Sequence, residues 1–308
     1  MSNPVDIVVV GSHAPGIFVR VKRIPKAGET VIGWDFHEPK DGGKGSNQAI
    51  AAALLGGKTS FVGCFGQDRI GDEGEFWLKE VGVDTTWLKR LKSINSGVGF
   101  ILLDENNIPA MVTSMGANAE LNKKDVEKAL EALSDAKVML TQFEIPVDVA
   151  LHAAKVAKQM GMISIVNPGP APENPVEGLD SATILIPNET EAQVLLGQEP
   201  GLEYDARELA QELKKTTGVP VVIITLGADG IVGFDNEGFW KETALKVDVV
   251  DTSGAGDVFC SALAVGIVNG KSVRDASKWA CKVASLSVTK PGTIPSYPTI
   301  TEVKAFHR

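Results

Sequence analysis

Asp251-Thr252-Ser253-Gly254-Ala255-Gly256-Asp257 ends where an apolar, helix-compatible run begins with Val258, Phe259, Ala262, Leu263 and Val265. Two glycines at the mouth of a helix let backbone N–H groups approach a ligand closely. The helix start adds unpaired donors and roughly half a positive charge, so it attracts anions. An acid among those donors is unusual. On this stretch alone two readings of Asp257 stay open. It is a helix cap, a role Asp often fills, or it lies beside a bound phosphate and takes the proton of an attacking hydroxyl.

A second glycine cluster, Asp41-Gly42-Gly43-Lys44-Gly45-Ser46-Asn47-Gln48, runs into Ala49-Ile50-Ala51-Ala52-Ala53-Leu54-Leu55 and stops at Gly56-Gly57. Gly56 is well placed to end that helix. Asn47 is expected to project from the first turn toward anything resting on the loop. The GxxxxGK[ST] spacing of a phosphate-binding P-loop is missing. Val9-Val10-Gly11-Ser12-His13 stands where a dinucleotide-binding GxGxxG would follow the first strand, which removes the main support for a dehydrogenase.

Around these clusters, short apolar runs alternate with Ala-rich helical patterns. Strands are expected at residues 7–10, 60–63, 138–141, 163–166, 184–186 and 221–225. Helices are expected at 47–55, 73–81, 124–133, 147–160, 190–196 and 206–215. This alternation predicts an α/β fold with a mostly parallel sheet covered on both faces. Residues 30–36 and 97–113 break the pattern and read as strands without helices. The second carries a turn signal at Asp104-Glu105-Asn106-Asn107. These pieces form either a small sheet that leaves the body and covers a site, or an antiparallel edge of the main sheet.

The chain has 308 residues, is 44% hydrophobic and carries a formal net charge of -9, enough for a full core and without a basic run for nucleic acid or anionic membranes. Cys64, Cys260 and Cys281 are widely spaced and make neither a disulfide framework nor a CxxC metal pattern. A soluble protein of the reducing cytosol is expected.

Taken together, the motifs resemble those of the ribokinase-like (PfkB) carbohydrate kinases, closest to the ribokinase branch. The resemblance covers nearly the whole chain. Besides the two glycine clusters it rests on Pro25-Lys26-Ala27-Gly28-Glu29-Thr30-Val31, Gly66-Gln67-Asp68-Arg69-Ile70-Gly71, Gly116-Ala117-Asn118, Asn167-Pro168-Gly169-Pro170-Ala171-Pro172, Pro187-Asn188-Glu189-Thr190-Glu191, and Thr225-Leu226-Gly227 with Gly230. It implies a single Rossmann-like three-layer domain over 1–308. It also implies a β-sheet lid from about 14–40 and 97–115 that often forms a dimer contact, hence a homodimer.

The resemblance also implies roles. Asp257 is the base for a sugar hydroxyl, and Gly254, Ala255 and Gly256 donate to the transferring phosphoryl group, electrostatic stabilisation by preorganised dipoles. Gly42, Gly43, Asn47, Glu144 and Asp257 bind substrate, and His13 is a candidate new ligand. Asn188, Thr225, Gly227 and Gly230 belong to the ATP region. Glu191 acts on hydrated Mg2+ beside the ATP phosphates, and Mg2+ keeps several waters. Asp251, Ser253, Ser287, Lys290, Gly292 and Ser296 occupy the positions of a monovalent-cation (K+) site. The plainer readings are a helix-start acid for Glu191, a surface acid for Glu144 and a structural His13.

The match departs from ribose-specific members at one place. Their Gly-Ser-x-Asn-x-Asp grips sugar hydroxyls through the Asn and the Asp; here Gly11-Ser12-His13-Ala14-Pro15-Gly16 puts Ala14 and Gly16 there. The match runs without a gap to Gly33 and carries one additional residue around Asp41. Ribose binding is expected to weaken. Arg20 and Lys22, beyond the site strand, suit either an anionic sugar or plain solvation. The expected activity is ATP-dependent transfer to a primary hydroxyl of a small sugar or derivative. Fructose-type sugars, polyols, nucleosides and keto-sugar acids remain alternatives, as does a regulator that binds sugar or nucleotide without turnover.

Overall fold

The computed structural model describes residues 4–106, 108–172 and 176–306. Asn107 of the turn signal lies outside the described residues. The main sheet has nine strands: β1 (Ile7–Val10), β4 (Thr59–Gly66), β5 (Asp84–Leu91), β8 (Val138–Gln142), β9 (Ile163–Asn167), β10 (Ile184–Leu185), β11 (Val221–Thr225), β12 (Ile231–Asp235) and β13 (Gly238–Glu242), in the order β13-β12-β11-β10-β9-β8-β1-β4-β5. Strands from β11 through β5 in that order are parallel, and β12 and β13 add an antiparallel edge.

A separate sheet contains β2 (Gly16–Val21), β3 (Gly33–His37), β6 (Val98–Leu103) and β7 (Pro109–Ser114), ordered β3-β2-β6-β7. The two open alternatives for these segments are thereby decided: they leave the main sheet. Pairing of β2 with β6 is parallel, and the other two contacts are antiparallel. Residues 30–32, expected as strand, are not part of it.

Strand β1 shows why the sheet is central. All four of its residues are buried; Ile7 and Val9 join one apolar cluster, Val8 and Val10 the other. Period-two alternation in a doubly covered sheet makes every position apolar. Helices α1 (Gly43–Leu54), α2 (Arg69–Glu80), α7 (Ala255–Val268) and α8 (Val273–Ser287) cover one face. On the other lie α3 (Lys123–Ala132), α4 (Val147–Gln159), α5 (Glu189–Leu195) and α6 (Ala206–Thr217). A short α9 (Ile300–Phe306) follows. Among the described residues no helix is long and apolar enough to cross a membrane.

The chain leaves β1 toward β4 on one side, while β8 flanks β1 on the other. Open α/β sheets bind ligands at the carboxyl ends of strands where the order diverges in this way. Ser12, Ala14 and Glu144 follow β1 and β8 there, and α1 and α7 pack against each other beside them.

Candidate active site

Helix α1 begins at Gly43, four residues before the expected start at 47. Its N-cap, Gly42, has no side chain to cap with. The orphan N–H groups of this turn are instead satisfied from afar. Lys44 N donates to Glu144 Oε2 (2.9 Å), Gly45 N to Ser12 Oγ (3.2 Å) and Ser46 N to the Ser12 carbonyl (2.9 Å). Ser12 Oγ donates to Glu144 Oε2 as well (2.6 Å). Glu144 is therefore a half-buried acid that pins a helix start.

Helix α7 begins differently. Gly254, at φ 75°, is its N-cap, and a side chain there would run into the Tyr297 hydroxyl. Gly256 and Asp257 N–H take no partner among the described residues. Asp257 does not cap its own helix. Its carboxylate crosses to α1, accepting from Gln48 Nε2 (3.1 Å) and Asn47 Nδ2 (3.4 Å). Gln48 Oε1 in turn accepts from Gln142 Nε2 (2.6 Å).

Asp257 is 7% exposed. Desolvation pushes its carboxyl up to about 6; Lys44 and the Gln48 and Asn47 hydrogen bonds pull it down, and Glu144 pushes it up. Lys44 is opposed by burial, yet Asp257, Glu191 and Glu144 together hold its ammonium above its ordinary value. Among the described residues Lys44 forms no ion pair within 4 Å. It is a cation surrounded by acids but committed to none of them. Sequence reading gave Lys44 no role, although a cation in the first turn of a helix opposes the dipole and so needs a local reason.

A cavity of about 350 Å³ opens here, walled by Gly43, Asn47, Glu144, Gly254 and Asp257 and also by Ala14, Gly16, Asp41 and Lys44. Phe100, Met111 and Val112 of the smaller sheet close its outer side. Gly42 is not on the wall; its N–H binds Asn47 Oδ1 (3.0 Å) and its carbonyl accepts from Ala14 N (2.9 Å).

His13 is not brought to the cavity. Its ring nitrogens meet Ser46 Oγ (3.0 Å) and the Ile70 carbonyl (3.2 Å), and its ring packs on Phe65 with centroids 4.6 Å apart. Burial lowers its pKa to about 4, so it is a neutral core imidazole. Arg20 pairs with Asp35 (3.0 Å) and Lys22 is exposed; neither lines the cavity.

Asn188 and Glu191 form a reciprocal capping box on α5: Asn188 Oδ1 accepts from Glu191 N (2.7 Å) and Glu191 Oε2 from Asn188 N (2.9 Å). The plainer reading of Glu191 thus holds for one of its oxygens. The other, Oε1, crowds with the Lys44 ammonium around Gly169, where a side chain would not fit. Thr225, at the end of β11, bridges to Asn188. Gly227 (φ 54°) and Gly230 (φ 90°) shape the turn after it, and a side chain at Gly230 would strike the Glu242 carbonyl. These residues, expected to border ATP, lie together but outside the cavity wall.

At the expected cation site, Asp251 accepts from Ser253 N (2.9 Å) and Gly292 N (2.9 Å), tying two loops together. Ser287 and Ser296 hydroxyls turn back to nearby carbonyls of their own segments, and the Lys290 ammonium pairs with Glu302 (2.8 Å).

A buried acid at an open helix start, beside a cation with no ion pair among the described residues and a cavity, is an arrangement compatible with phosphoryl transfer to a hydroxyl. The family model for pfkB family carbohydrate kinases matches residues 6–300. The chain belongs to that family. It is 33% identical over 303 residues to a ribokinase of Haemophilus influenzae, covering 97% of each chain. It is 32% identical over 302 residues to a deoxyribokinase of Salmonella typhi, covering 98% of each. A solved Arabidopsis thaliana ribokinase, complexed with ribose and ATP, superposes with a TM-score of 0.87 at 31% identity over 98% of both chains. The protein is an ATP-dependent carbohydrate kinase.

Proposed function

We propose that this kinase transfers the γ-phosphoryl group of ATP to a primary hydroxyl of a small sugar held in the Asp257 cavity. The observation that carries this reading is Asp257 itself: a buried acid, held by two amide donors, in the first turn of a helix. There the Ala255 N–H, expected to meet the phosphoryl group, is taken by the Thr252 carbonyl (3.2 Å), while the Gly256 and Asp257 N–H groups have no partner among the described residues. Asp257 accepts the proton of the attacking hydroxyl. The Gly256 and Asp257 N–H groups and the Lys44 ammonium meet the charge of the transferring group. Ser12 and Glu144 hold Lys44 and the α1 start in register.

Magnesium supplied with ATP neutralises phosphate charge. Glu191 fits its role: Oε2 is spent on the helix cap, while Oε1 faces the Lys44 side and suits an ion that keeps most of its water. Asn188, Thr225, Gly227 and Gly230 border the nucleotide. Potassium activation is part of the proposal. In that loop pair Asp251 contributes negative charge, while Ser253, Ser287, Lys290, Gly292 and Ser296 offer backbone oxygens. Turnover in potassium-free and sodium-free buffer tests it, and full activity there removes it.

The smaller sheet acts as a lid, and its exposed apolar residues support pairing of two copies. Ile32 is 88% exposed, and Trp34, Phe36, Phe100, Met111 and Val112 are exposed with it. That is a large apolar surface for a lone chain. Sedimentation at micromolar concentration tests it; a monomer overturns it. Three free buried cysteines are consistent with a reducing compartment such as the cytoplasm.

Ribose and deoxyribose are reference substrates because relatives carry those names. A coupled ADP-release screen over pentoses, fructose-type sugars, polyols, nucleosides and keto-sugar acids tests the reading. Absence of turnover with all of them would overturn it.

A further inference from the structure

The cavity wall contains one acid that neither the catalytic reading nor the lid explains. Asp41 stands in the turn between β3 and α1, half-buried, and lines the cavity with Asp257 and Glu144. Its Oδ2 accepts from Gly16 N (3.1 Å), and its Oδ1 from Asn47 Nδ2 (2.8 Å) and, at the limit of range, from Gly43 N (3.4 Å). A Cβ built on Gly16 would lie 3.5 Å from Oδ2, with the Ile101 Cδ1 (2.8 Å) and Phe18 (3.0 Å) side-chain ends closer still. The wall at residues 14 and 16 is bare, with Ala14 and Gly16 offering no polar side-chain atom. Asp41 places a carboxylate in the space that residue 16 would reach.

We propose that Asp41 is the acid that binds the hydroxyls of the sugar in this chain, replacing the side-chain ligands absent at residues 14 and 16, and that it selects a neutral sugar over a sugar acid. This rests on the sugar-kinase reading of the same cavity. A carboxylate has about four acceptor sites. The three hydrogen bonds described leave capacity for a hydroxyl, and they fix the carboxylate so that little rotamer freedom is lost on binding. Asn47 links Asp41 to Asp257, so the acid that holds the sugar and the base that deprotonates it share one amide.

The charge balance of the wall sets the substrate class. Asp41, Glu144 and Asp257 face the cavity against one cation, Lys44, which lies among Asp257, Glu191 and Glu144. Arg20 and Lys22, which could have met an anionic sugar, stand away from it. A carboxylated substrate would enter a wall of like charge with no cation of its own. A polyhydroxylated neutral sugar offers donors to three acceptor groups.

The test compares the wild-type protein with Asp41→Asn and Asp41→Ala, using D-ribose, 2-deoxy-D-ribose, D-fructose and a six-carbon keto-sugar acid as probes. Binding is read by calorimetry with ADP and Mg2+ present, and turnover by ADP release. The wild-type protein should bind a neutral sugar best. For that sugar Asp41→Ala should raise Kd and KM by about 10- to 100-fold, the scale of a hydrogen bond to a charged group. kcat and the KM for ATP should change less than threefold. Asp41→Asn keeps the shape and one acceptor, and should fall between the two. Adding Gly16→Asp to Asp41→Ala should recover part of the sugar affinity.

A sugar acid as best ligand overturns the proposal. So do unchanged sugar Kd and KM in both variants, or an equal loss of kcat and both KM values, which marks a purely structural Asp41. If sugars bind in an Asp41-dependent way without turnover, the kinase reading falls and the role of Asp41 stands. Binding of none of the probes overturns both.

Discussion

Helices α1 and α7 meet at one site, and both begin with glycines, yet one start is filled and the other open. At α1 the protein supplies its own anion: Glu144 and Ser12 occupy the Lys44 and Gly45 N–H groups. At α7 the Gly256 and Asp257 N–H groups have no protein partner among the described residues. The difference teaches that a glycine-rich helix start is not in itself a ligand site. What matters is whether a carboxylate from elsewhere in the chain has already taken it. The filled start is pinned by the protein itself; the open start leaves its donors available to a ligand.

The largest break in this comparison comes from Asp257→Asn. It should lower kcat by about 10³-fold, within the usual range for loss of a general base, with ATP affinity largely kept. In the wild-type protein, kcat/KM should fall below about pH 6, where Asp257 takes up its proton. The same group acts on stability with a definite sign. Folded Asp257 titrates near 6, above the unfolded value of about 3.9. Between those values the folded state holds more protons, so this group's contribution declines as pH rises from about 4 to 6. Denaturant titrations of wild type and Asp257→Asn across that window should show it as a changing difference between the two.

Next in size is Lys44→Met, which removes the cation between the two helix starts. A loss of about 10²-fold in kcat is expected for a lost transition-state charge contact. Lys44 pulls the Asp257 carboxyl down, so its removal should move the acid limb of the pH profile upward. A limb that stays in place would show that Lys44 and Asp257 do not share a site.

Glycine substitutions at α7 separate space from conformation. Gly254 is left-handed and backed by Tyr297, so Gly254→Ala should cost about 1–3 kcal/mol of stability as well as activity. A side chain at Gly256 meets nothing within 4 Å. Gly256→Ala should therefore keep or raise stability by up to about 1 kcal/mol while lowering kcat/KM about tenfold. Rate lost without stability lost marks a surface kept clear for a ligand.

At the filled start the expected effect is on stability. Glu144→Ala leaves Lys44 N without its acceptor and should lower unfolding free energy by about 1–3 kcal/mol in a denaturant titration. A stability equal to wild type would contradict the positioning role of α1.

Much of the body was legible because burial on both faces leaves a clear trace. Strands β1 and β11 fall on the expected residues, and every expected helix is present within a few residues. Strand β5 was missed because, at the sheet edge, Asp84-Thr85-Thr86-Trp87-Leu88-Lys89-Arg90-Leu91 is only half-buried and lacks an apolar run. The β12–β13 hairpin and α8 were not singled out either, although Asp235-Asn236-Glu237-Gly238 carries an ordinary turn signal. At the site, the early start of α1 was hidden because its caps come from residues 33 and 100 positions away in the chain. No local motif encodes such partners. Asp41 left one trace, the additional residue before Gly42-Gly43, but its contact with Gly16 N exists only once the smaller sheet folds beside the main body.

The amide chain through Gln142, Gln48 and Asp257 gives the site a polarity. Gln142 donates to Gln48, Gln48 donates to Asp257, and Asn47 donates to the other Asp257 oxygen. Gln48 Nε2 also reaches Asn167 Oδ1 (3.4 Å) and Asn47 Nδ2 also reaches Asp41 Oδ1 (2.8 Å), but both Asp257 oxygens meet an amide N–H. In the proposed reaction the cavity is therefore the side from which Asp257 would take a proton and to which it would return it, with the amides holding the carboxylate from behind.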